Sequence, residues 1–379
     1  MQAIQSPIIP IVGEWIRQTP GTISLGQGVV SYPPPPTALT QMTQALAQPE
    51  NHLYQAVEGL PQLRQAIAHK LQQDNQIPLT DAQRIVVTAG SNMGFMNAVL
   101  AITQPGDEII LPTPYYFNHE MAIGMASGKA VLVPTDANYQ LRLDRLQAAI
   151  TDKTRAIVTI SPNNPTGAVY PDADLLAVNQ LCRAAGIYHI SDEVYDYFTY
   201  GMPHVSPGAF SDSADHTISL FSLSKAYGFA SWRIGYMLIP AHLHEAVRKI
   251  QDTILICPPV VSQYAALGAL QAGKAYCDAK IQPIATVRQT VLQLLEPAKQ
   301  YCRIPIAAGA FYVFLKVHTD MSAMVLAERL VRQHQVAVIP GETFGMQDGC
   351  YLRVAYGCLD VDSAAVGIRR LIRGLEACI

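Results

Sequence analysis

Clustered positive charge, closely paired cysteines and long unbroken apolar runs are all missing from this 379-residue chain. Its 26 lysines and arginines are balanced by 29 acidic side chains, giving a formal charge of -3, and there is no basic block or arginine-rich tail. Tracking a nucleic-acid backbone takes many phosphate contacts, so this balance argues against nucleic acid as a partner. The seven cysteines, at 182, 257, 277, 302, 350, 358 and 378, include no close CxxC pair. That spacing argues against a disulfide framework and a short-spaced zinc site, so no metal is expected and a reducing, cytoplasmic compartment is the simplest. The N-terminus has no basic stretch followed by an apolar core, and the apolar region 254–267 is interrupted by Pro258, Pro259, Ser262 and Gln263. Neither export nor a membrane span is expected.

What the chain does have is apolar material for a large core. Half of its residues are hydrophobic and 15% are charged, and at this length two domains are expected. Short apolar runs recur at 85–87, 108–111, 130–133, 156–160, 187–190, 217–221 and 235–239, separated by helix-length intervals. This rhythm predicts an α/β domain whose mainly parallel seven-stranded sheet is covered by helices. Apolar residues return every three or four positions in 62–73, 143–149, 172–185 and 243–252, the spacing of amphipathic helices. Beyond about residue 280 the pattern changes. A long helix through Leu294 and Leu295 precedes strand-like 311–317, helix-like 322–333 and strand-like 336–339 and 351–355, which together read as a smaller α+β domain. A proline-rich stretch at 32–36 sets off an N-terminal arm. The expected division is 45–280 as the large domain, with 1–44 and 281–379 forming the arm and the small domain.

Most lysines are solvated surface charges, and Lys225 stands out only by its company. It ends Ser222-Leu223-Ser224-Lys225, and Arg233 follows eight residues on. A lysine amine can form an imine, and arginines hold carboxylate or phosphate oxygens. The stretch 87–92 follows one apolar run and precedes the helix-like 93–101, so Gly90, Ser91 and Asn92 would present free backbone N–H groups to an anion. Alone, Gly90-Ser91 is equally well a turn and a helix cap. Ser161-Pro162-Asn163-Asn164-Pro165-Thr166-Gly167 is a turn whatever its function, but it sits just after a strand-like run, where open α/β sheets place ligand loops. The next run ends at Asp192, so Asn164 and Asp192 can share one rim. Asp192 there could keep a pyridinium nitrogen protonated or be an ordinary solvated acid. Tyr116 could stack on a flat heteroaromatic ring and Tyr195 donate to that ring's oxygen, although isolated tyrosines are usually structural.

Taken together, these motifs resemble the fold-type-I, class I/II pyridoxal-phosphate aminotransferases, and the resemblance covers nearly the entire chain. It is strongest in 161–167, in Ser-Asp-Glu-Val-Tyr at 191–195, and in Ser-Leu-Ser-Lys followed by Ser231-Trp232-Arg233-Ile234-Gly235. The resemblance implies the fold of that family and pyridoxal 5'-phosphate as cofactor. Lys225 would carry the cofactor, Asp192 would pair with its ring nitrogen, and Tyr195 and Asn164 would bind its ring oxygen. Ser91, Asn92, Ser222 and Arg233 would surround its phosphate, and Tyr116 would stack on its ring. Arg353 would clasp the substrate carboxylate, with Gly26 and Asn164 beside it. Tyr54, in Tyr54-Gln55-Ala56-Val57-Glu58-Gly59, resembles the element that reaches the partner subunit's phosphate, which implies a homodimer with shared sites.

The implied reaction is ping-pong transfer of an amino group from an L-amino acid to a 2-oxo acid. A carbon-sulfur β-lyase is open to the same scaffold, and so is a regulatory binding protein without activity. Retention of Lys225, Asp192 and Arg353 together counts against the last. No extra arginine stands out for a side-chain carboxylate, and residues 255–260 are apolar, which favours neutral, aromatic or broad donors. Trp15 is a candidate cover for an apolar substrate side chain, or ordinary packing.

Overall fold

The computed structural model describes residues 8–378. Helix α1 (Ile8–Gln18), strand β1 (Ile23–Ser24) and helices α2 (Pro36–Leu46) and α3 (Pro61–Gln73) come first. Strands and helices then alternate through β2 (Gln83–Thr88), α4 (Ser91–Ile102), β3 (Glu108–Thr113), α5 (Phe117–Met125), β4 (Lys129–Pro134) and α6 (Leu143–Ala148). They continue through β5 (Thr154–Ile160), α7 (Asp172–Ala185), β6 (Tyr188–Asp192), β7 (Thr217–Ser222), β8 (Gly235–Pro240) and α8 (His244–Leu255). Each of the seven expected apolar runs supplies one strand of a single sheet, in the order β2-β8-β7-β6-β5-β3-β4. Only β8 runs antiparallel to its neighbours. Every residue of β3 and β8 is buried, as expected of strands covered on both faces. In α7, Leu175, Val178 and Cys182 are buried at three- and four-residue spacing. Asp172 and Asp174 occupy its first turn and Arg183 its last, each sign suiting the helix dipole.

The rest of the chain forms a smaller β-sheet body. Helix α9 (Val260–Leu295), broken at Gly273, is followed by β9 (Cys302–Arg303), β10 (Tyr312–Val317) and α10 (Ala323–His334). Ser322 caps α10 by accepting from the Val325 N–H at 3.3 Å. Strands β11 (Val336–Ala337), β12 (Ile339–Pro340) and β13 (Cys350–Ala355) and helix α11 (Val361–Cys378) complete the chain. The single strand expected at 336–339 is two. Residues 336 and 337 pair in parallel with β1, whereas 339 and 340 pair antiparallel with β13 in a sheet ordered β12-β13-β10-β9. The chain changes partners at Val338, a step that an unbroken apolar run does not reveal. No helix among the described residues is long and apolar enough to cross a membrane.

A polar seam crosses the buried centre of the large sheet. His189 on β6 is fully buried, its Nδ1 accepting from Asn179 Nδ2 at 3.1 Å and its Nε2 lying 2.8 Å from Thr159 Oγ1. Asn179 Nδ2 also donates to Thr217 Oγ1 at 2.8 Å, so the imidazole ties β5, β6 and β7 to α7. Burial, and next His216, push its pKa down from 6.5 to about 3. Between these values the unfolded chain binds a proton that the folded one refuses, so His189 lowers stability progressively as pH falls from 6.5 toward 3. His189→Gln is expected to flatten the fall of unfolding midpoint with acidification in that window, removing a slope of up to about 1.4 kcal/mol per pH unit. Denaturant titrations at several pH values check this, and an unchanged slope would place the imidazole's titration elsewhere.

Candidate active site

Sheet register brings the candidate residues to one rim. Thr88 at the end of β2 and Ser222 at the end of β7 both lie opposite Gly235, the first residue of the reversed β8. Ile160 lies opposite Asp192, and Asp192 opposite Leu220, two residues before Ser222. The loops leaving these ends therefore converge, as open α/β sheets favour. They enclose a cavity of about 640 Å³, a size suited to a small cofactor and substrate. Ser91, Asn92, Tyr116, Asn164, Asp192, Tyr195, Ser222, Lys225, Arg233 and Arg353 all line it, although they are spread over more than 260 positions of sequence.

One end of the cavity is built for an anion. Helix α4 begins at Ser91 without a side-chain cap, leaving its first N–H groups free. Its preceding residue, Gly90, has φ 81°, and a Cβ there would collide with the Arg233 guanidinium. Glycine is thus favoured by the backbone angle, and its missing side chain lets the guanidinium lie close to the helix start. Arg233 itself has φ 54°, a conformation few non-glycine residues adopt, and donates to Ala230 O at 2.8 Å. The helix dipole and this guanidinium place positive potential at the same spot.

Lys225 and Arg353 stand beyond it. The Lys225 amine donates to Gly28 O at 2.5 Å, and burial, followed by the charges of Arg353 and Arg233, lowers its pKa from 10.5 to about 8. Near pH 7 about a tenth of the amine is therefore neutral and nucleophilic, against well under a thousandth for an ordinary lysine. Arg353, on β13, is only 2% exposed, yet no carboxylate among the described residues pairs with it. Its Nη1 donates to Asn164 Oδ1 at 2.9 Å and its Nη2 to Gly26 O at 2.8 Å, while Nε has no partner. The guanidinium lies 4.7 Å from the Tyr312 ring centre and 5.0 Å from that of Phe344. A buried guanidinium with a spare N–H has the capacity to pair with a carboxylate.

The third wall carries Asp192, whose Oδ2 lies 3.0 Å from His119 Nε2 and whose Oδ1 accepts from the Val194 N–H at 3.3 Å. His119 is stacked on Phe95 at 4.0 Å, so the carboxylate is fixed from behind. Tyr195 Oη is 2.6 Å from Tyr312 Oη, and Tyr116 Oη accepts from Asn118 Nδ2 at 2.8 Å. His119 and Tyr312 were not among the residues singled out from sequence. His119 lies three residues after Tyr116, the helical spacing that faces it the same way, and that was the available signal. Tyr312 carried none beyond the strand-like run containing it.

The other candidates lie outside this wall. Gly26 is not on the lining but accepts from Arg353. Trp15 is half-buried against an apolar cluster that includes Val12, Phe117 and Phe344, and Ile9 of the same helix faces the cavity instead. Tyr54 is 79% exposed, so within one subunit it completes nothing.

The proximity of two guanidinium groups makes the acidity of Lys225 testable. Acetic anhydride labelling across pH, read by peptide mass mapping, is expected to give a Lys225 midpoint near 8 in the cofactor-free protein. Arg353→Leu removes one like charge and is expected to raise that midpoint by roughly one unit or less. A midpoint that does not move would remove Arg353 from the causes of the shift.

The model of the aminotransferase class I and II family matches residues 20–371. Aromatic aminotransferase ISS1 of Arabidopsis thaliana is 32% identical over 385 residues, covering 98% of this chain and 94% of its own. A probable aspartate/prephenate aminotransferase of Aquifex aeolicus is 34% identical over 339 residues, covering 85% of this chain and 83% of its own. Among solved structures, a double mutant of Thermus thermophilus aspartate aminotransferase superimposes with a TM-score of 0.91 at 29% identity, over 98% of each chain. With a lysine amine, an anion cradle and an unpaired arginine converging on the rim of this fold, the chain belongs to the class I and II aminotransferases, enzymes that depend on pyridoxal phosphate.

Proposed function

We propose that this enzyme transfers the amino group of a neutral or aromatic L-amino acid, or of a broad donor range, to a 2-oxo acid by a ping-pong cycle at the cavity around Lys225. The observation that carries the reading is a buried lysine of lowered pKa between an uncapped helix N-terminus and a buried arginine with no carboxylate partner. These features fit pyridoxal 5'-phosphate. Its phosphate suits the α4 N–H groups, Ser91, Asn92, Ser222 and Arg233, its aldehyde Lys225, and its ring nitrogen Asp192. When bound, it supplies a conjugated ring that accepts the electron pair left at the substrate's α-carbon.

The side chains divide the remaining work. Asp192, steadied by His119, keeps a proton on the ring nitrogen. Tyr116 lies against the ring face. Tyr195 donates to the ring oxygen, as does the Asn164 amide N–H, since the Asn164 carbonyl is already engaged by Arg353. Arg353 orients the donor through its carboxylate, beside Gly26. Displaced by the incoming amine, Lys225 would be free to carry the proton taken from the α-carbon to the carbon that bore the aldehyde, and to reverse that transfer with the second substrate. The domain division we propose, 45–280 against 1–44 and 281–379, puts Lys225 on one body and Arg353 on the other, so that substrate binding draws on both. All seven cysteines are unpaired thiols, which supports a reducing, cytoplasmic compartment.

Donor preference follows from the lining. Ile9, Val29, Phe117, Ile160 and Val194 are apolar, and the cations on the described wall are Lys225, Arg233 and Arg353, each already given a role. The names of the relatives span aromatic, aspartate and prephenate enzymes and do not choose among donors. In a panel against 2-oxoglutarate, pyruvate and aromatic 2-oxo acids, kcat/KM for phenylalanine or leucine is expected to equal or exceed that for aspartate. A tenfold or greater preference for aspartate, about 1.4 kcal/mol in the transition state, would overturn the donor assignment. Lys225→Ala is expected to abolish multiple turnover while retaining some phosphate-dependent cofactor binding.

We also propose a homodimer in which Tyr54 reaches the partner's phosphate site. Its high exposure in one subunit supports this, because a side chain that works across an interface must project from its own. Mixing Lys225→Ala subunits with Tyr54→Phe subunits would put both defects in one site of a mixed dimer and leave the other intact. Activity is expected to return in part. No recovery despite verified mixed dimers would return Tyr54 to a local role.

A further inference from the structure

Tyr312 has no part in the assignments above, yet it touches two of the groups that do, Arg353 and Tyr195, and packs against the residue that holds a third, Lys225. Its side chain is fully buried at the start of β10 and lines the cavity. Its ring lies 4.7 Å beneath the Arg353 guanidinium, and its hydroxyl is 2.6 Å from that of Tyr195. A Cβ on Gly28 would collide with the Tyr312 hydroxyl, and the carbonyl of the same Gly28 holds the Lys225 amine at 2.5 Å. A hydroxyl packed this closely has few directions in which to aim its proton.

The two phenols are not equivalent. Burial raises the pKa of both, but the Arg353 charge and the hydrogen bond from Tyr195 hold Tyr312 back to about 12, whereas Tyr195 is pushed well above 10 by burial and then by Tyr312. The Arg353 charge lowers both phenols, and its guanidinium lies directly over the Tyr312 ring. Tyr116 also acts on both phenols, and Cys358 on Tyr312. A phenol with one proton cannot donate to Tyr312 and to a ligand at once. When an acceptor oxygen enters the cavity, Tyr195 must turn its proton to that oxygen, and the vacated lone pair then becomes available to Tyr312.

We propose that Tyr312 is a positioning residue that donates to the Tyr195 oxygen, forming a chain Arg353, Tyr312, Tyr195, cofactor ring oxygen which strengthens the last hydrogen bond. No proton leaves either phenol; each turns its own toward the next oxygen. The inference deepens the reading of Tyr195 as ring-oxygen donor and rests on it. Hydrogen bonds in series polarise one another, and Arg353 polarises the first donor. A stronger bond to the ring oxygen draws electron density from the Lys225 nitrogen once that nitrogen is joined to the cofactor. It therefore lowers that nitrogen's affinity for a proton.

The test is a pH titration of the visible absorption band of the cofactor-loaded enzyme, which reports that nitrogen's protonation without turnover. Tyr195→Phe is expected to move the midpoint upward, and Tyr312→Phe to move it the same way by a smaller amount, roughly half a unit to one unit, or about three- to tenfold in the proton equilibrium. In a Tyr195→Phe background, Tyr312→Phe is expected to add nothing, because its effect passes through the lost hydroxyl. Gly28→Ala, which displaces the Tyr312 hydroxyl without altering either phenol, is a second route to the upward shift should Tyr312→Phe fold poorly. If Tyr195→Phe leaves the midpoint in place, the assignment of Tyr195 fails and this proposal with it. If Tyr195→Phe shifts it but Tyr312→Phe and Gly28→Ala do not, the chain through Tyr312 is overturned alone. A rise in donor KM with an unmoved midpoint would likewise overturn it, by assigning Tyr312 to the support of Arg353.

Discussion

Three cations, Lys225, Arg233 and Arg353, face one cavity in which Asp192 is the only carboxylate among the described lining residues. Asp192 is 3.0 Å from His119 and so is not free to neutralise them. Like charges brought together in a partly dry space repel, and the fold answers in different ways. Lys225 yields its proton more readily. Arg353 cannot, and rests on two aromatic rings and two oxygen acceptors. Arg233 is held in an unusual backbone conformation beside an uncapped helix end. Negative charge would offset this repulsion, and under the proposed function a ligand's phosphate and a substrate's carboxylate would supply it at the two ends.

The same constraint explains why the site joins distant parts of the chain. Asn164 from the loop after β5, Gly26 from the segment after β1, and Arg353 from β13 meet at one guanidinium. No single one of these segments could desolvate a cation and still satisfy it. The sheet rim supplies Lys225, Asp192 and the α4 terminus, and the smaller sheet supplies Arg353 and Tyr312. One cavity is therefore lined from both the rim of the large sheet and the smaller sheet.

Much of this was legible in the chain, because short apolar runs separated by helix-length amphipathic intervals match the strands of a sheet buried on both faces by helices. Asn164 and Asp192 could be placed on one rim for the same reason, as each lies shortly after a run, whereas Ser222 was tied to them through the company of Lys225 and the resemblance. What stayed hidden depends on contacts between elements rather than on periodicity. The split of residues 336–340 between two sheets is decided by β1 and β13, which lie hundreds of residues before it and ten after it. Tyr312 is one of three aromatics in the strand-like run 311–317, and only the pairing of β10 with β13, which sets its ring against Arg353, and the approach of Tyr195 from the large domain give its hydroxyl a partner. Trp15 could be read as a substrate cover or as ordinary packing, and helix α1 turns that ring into an apolar cluster shared by Phe117 and Phe344 while Ile9 lines the cavity. His119 was separated from recognition by the same limit, since a three-residue spacing from Tyr116 has meaning only once Asp192 is known to lie alongside.

The convergence on Lys225 is tested most directly by reducing the cofactor-loaded enzyme with borohydride and mapping the modified peptide by mass spectrometry. Hydride addition makes the link between aldehyde carbon and lysine nitrogen permanent. The expected result is one phosphopyridoxyl group per chain, carried by Lys225 and lost in Lys225→Ala. Stoichiometric modification of any other lysine, with Lys225 recovered unmodified, would contradict it.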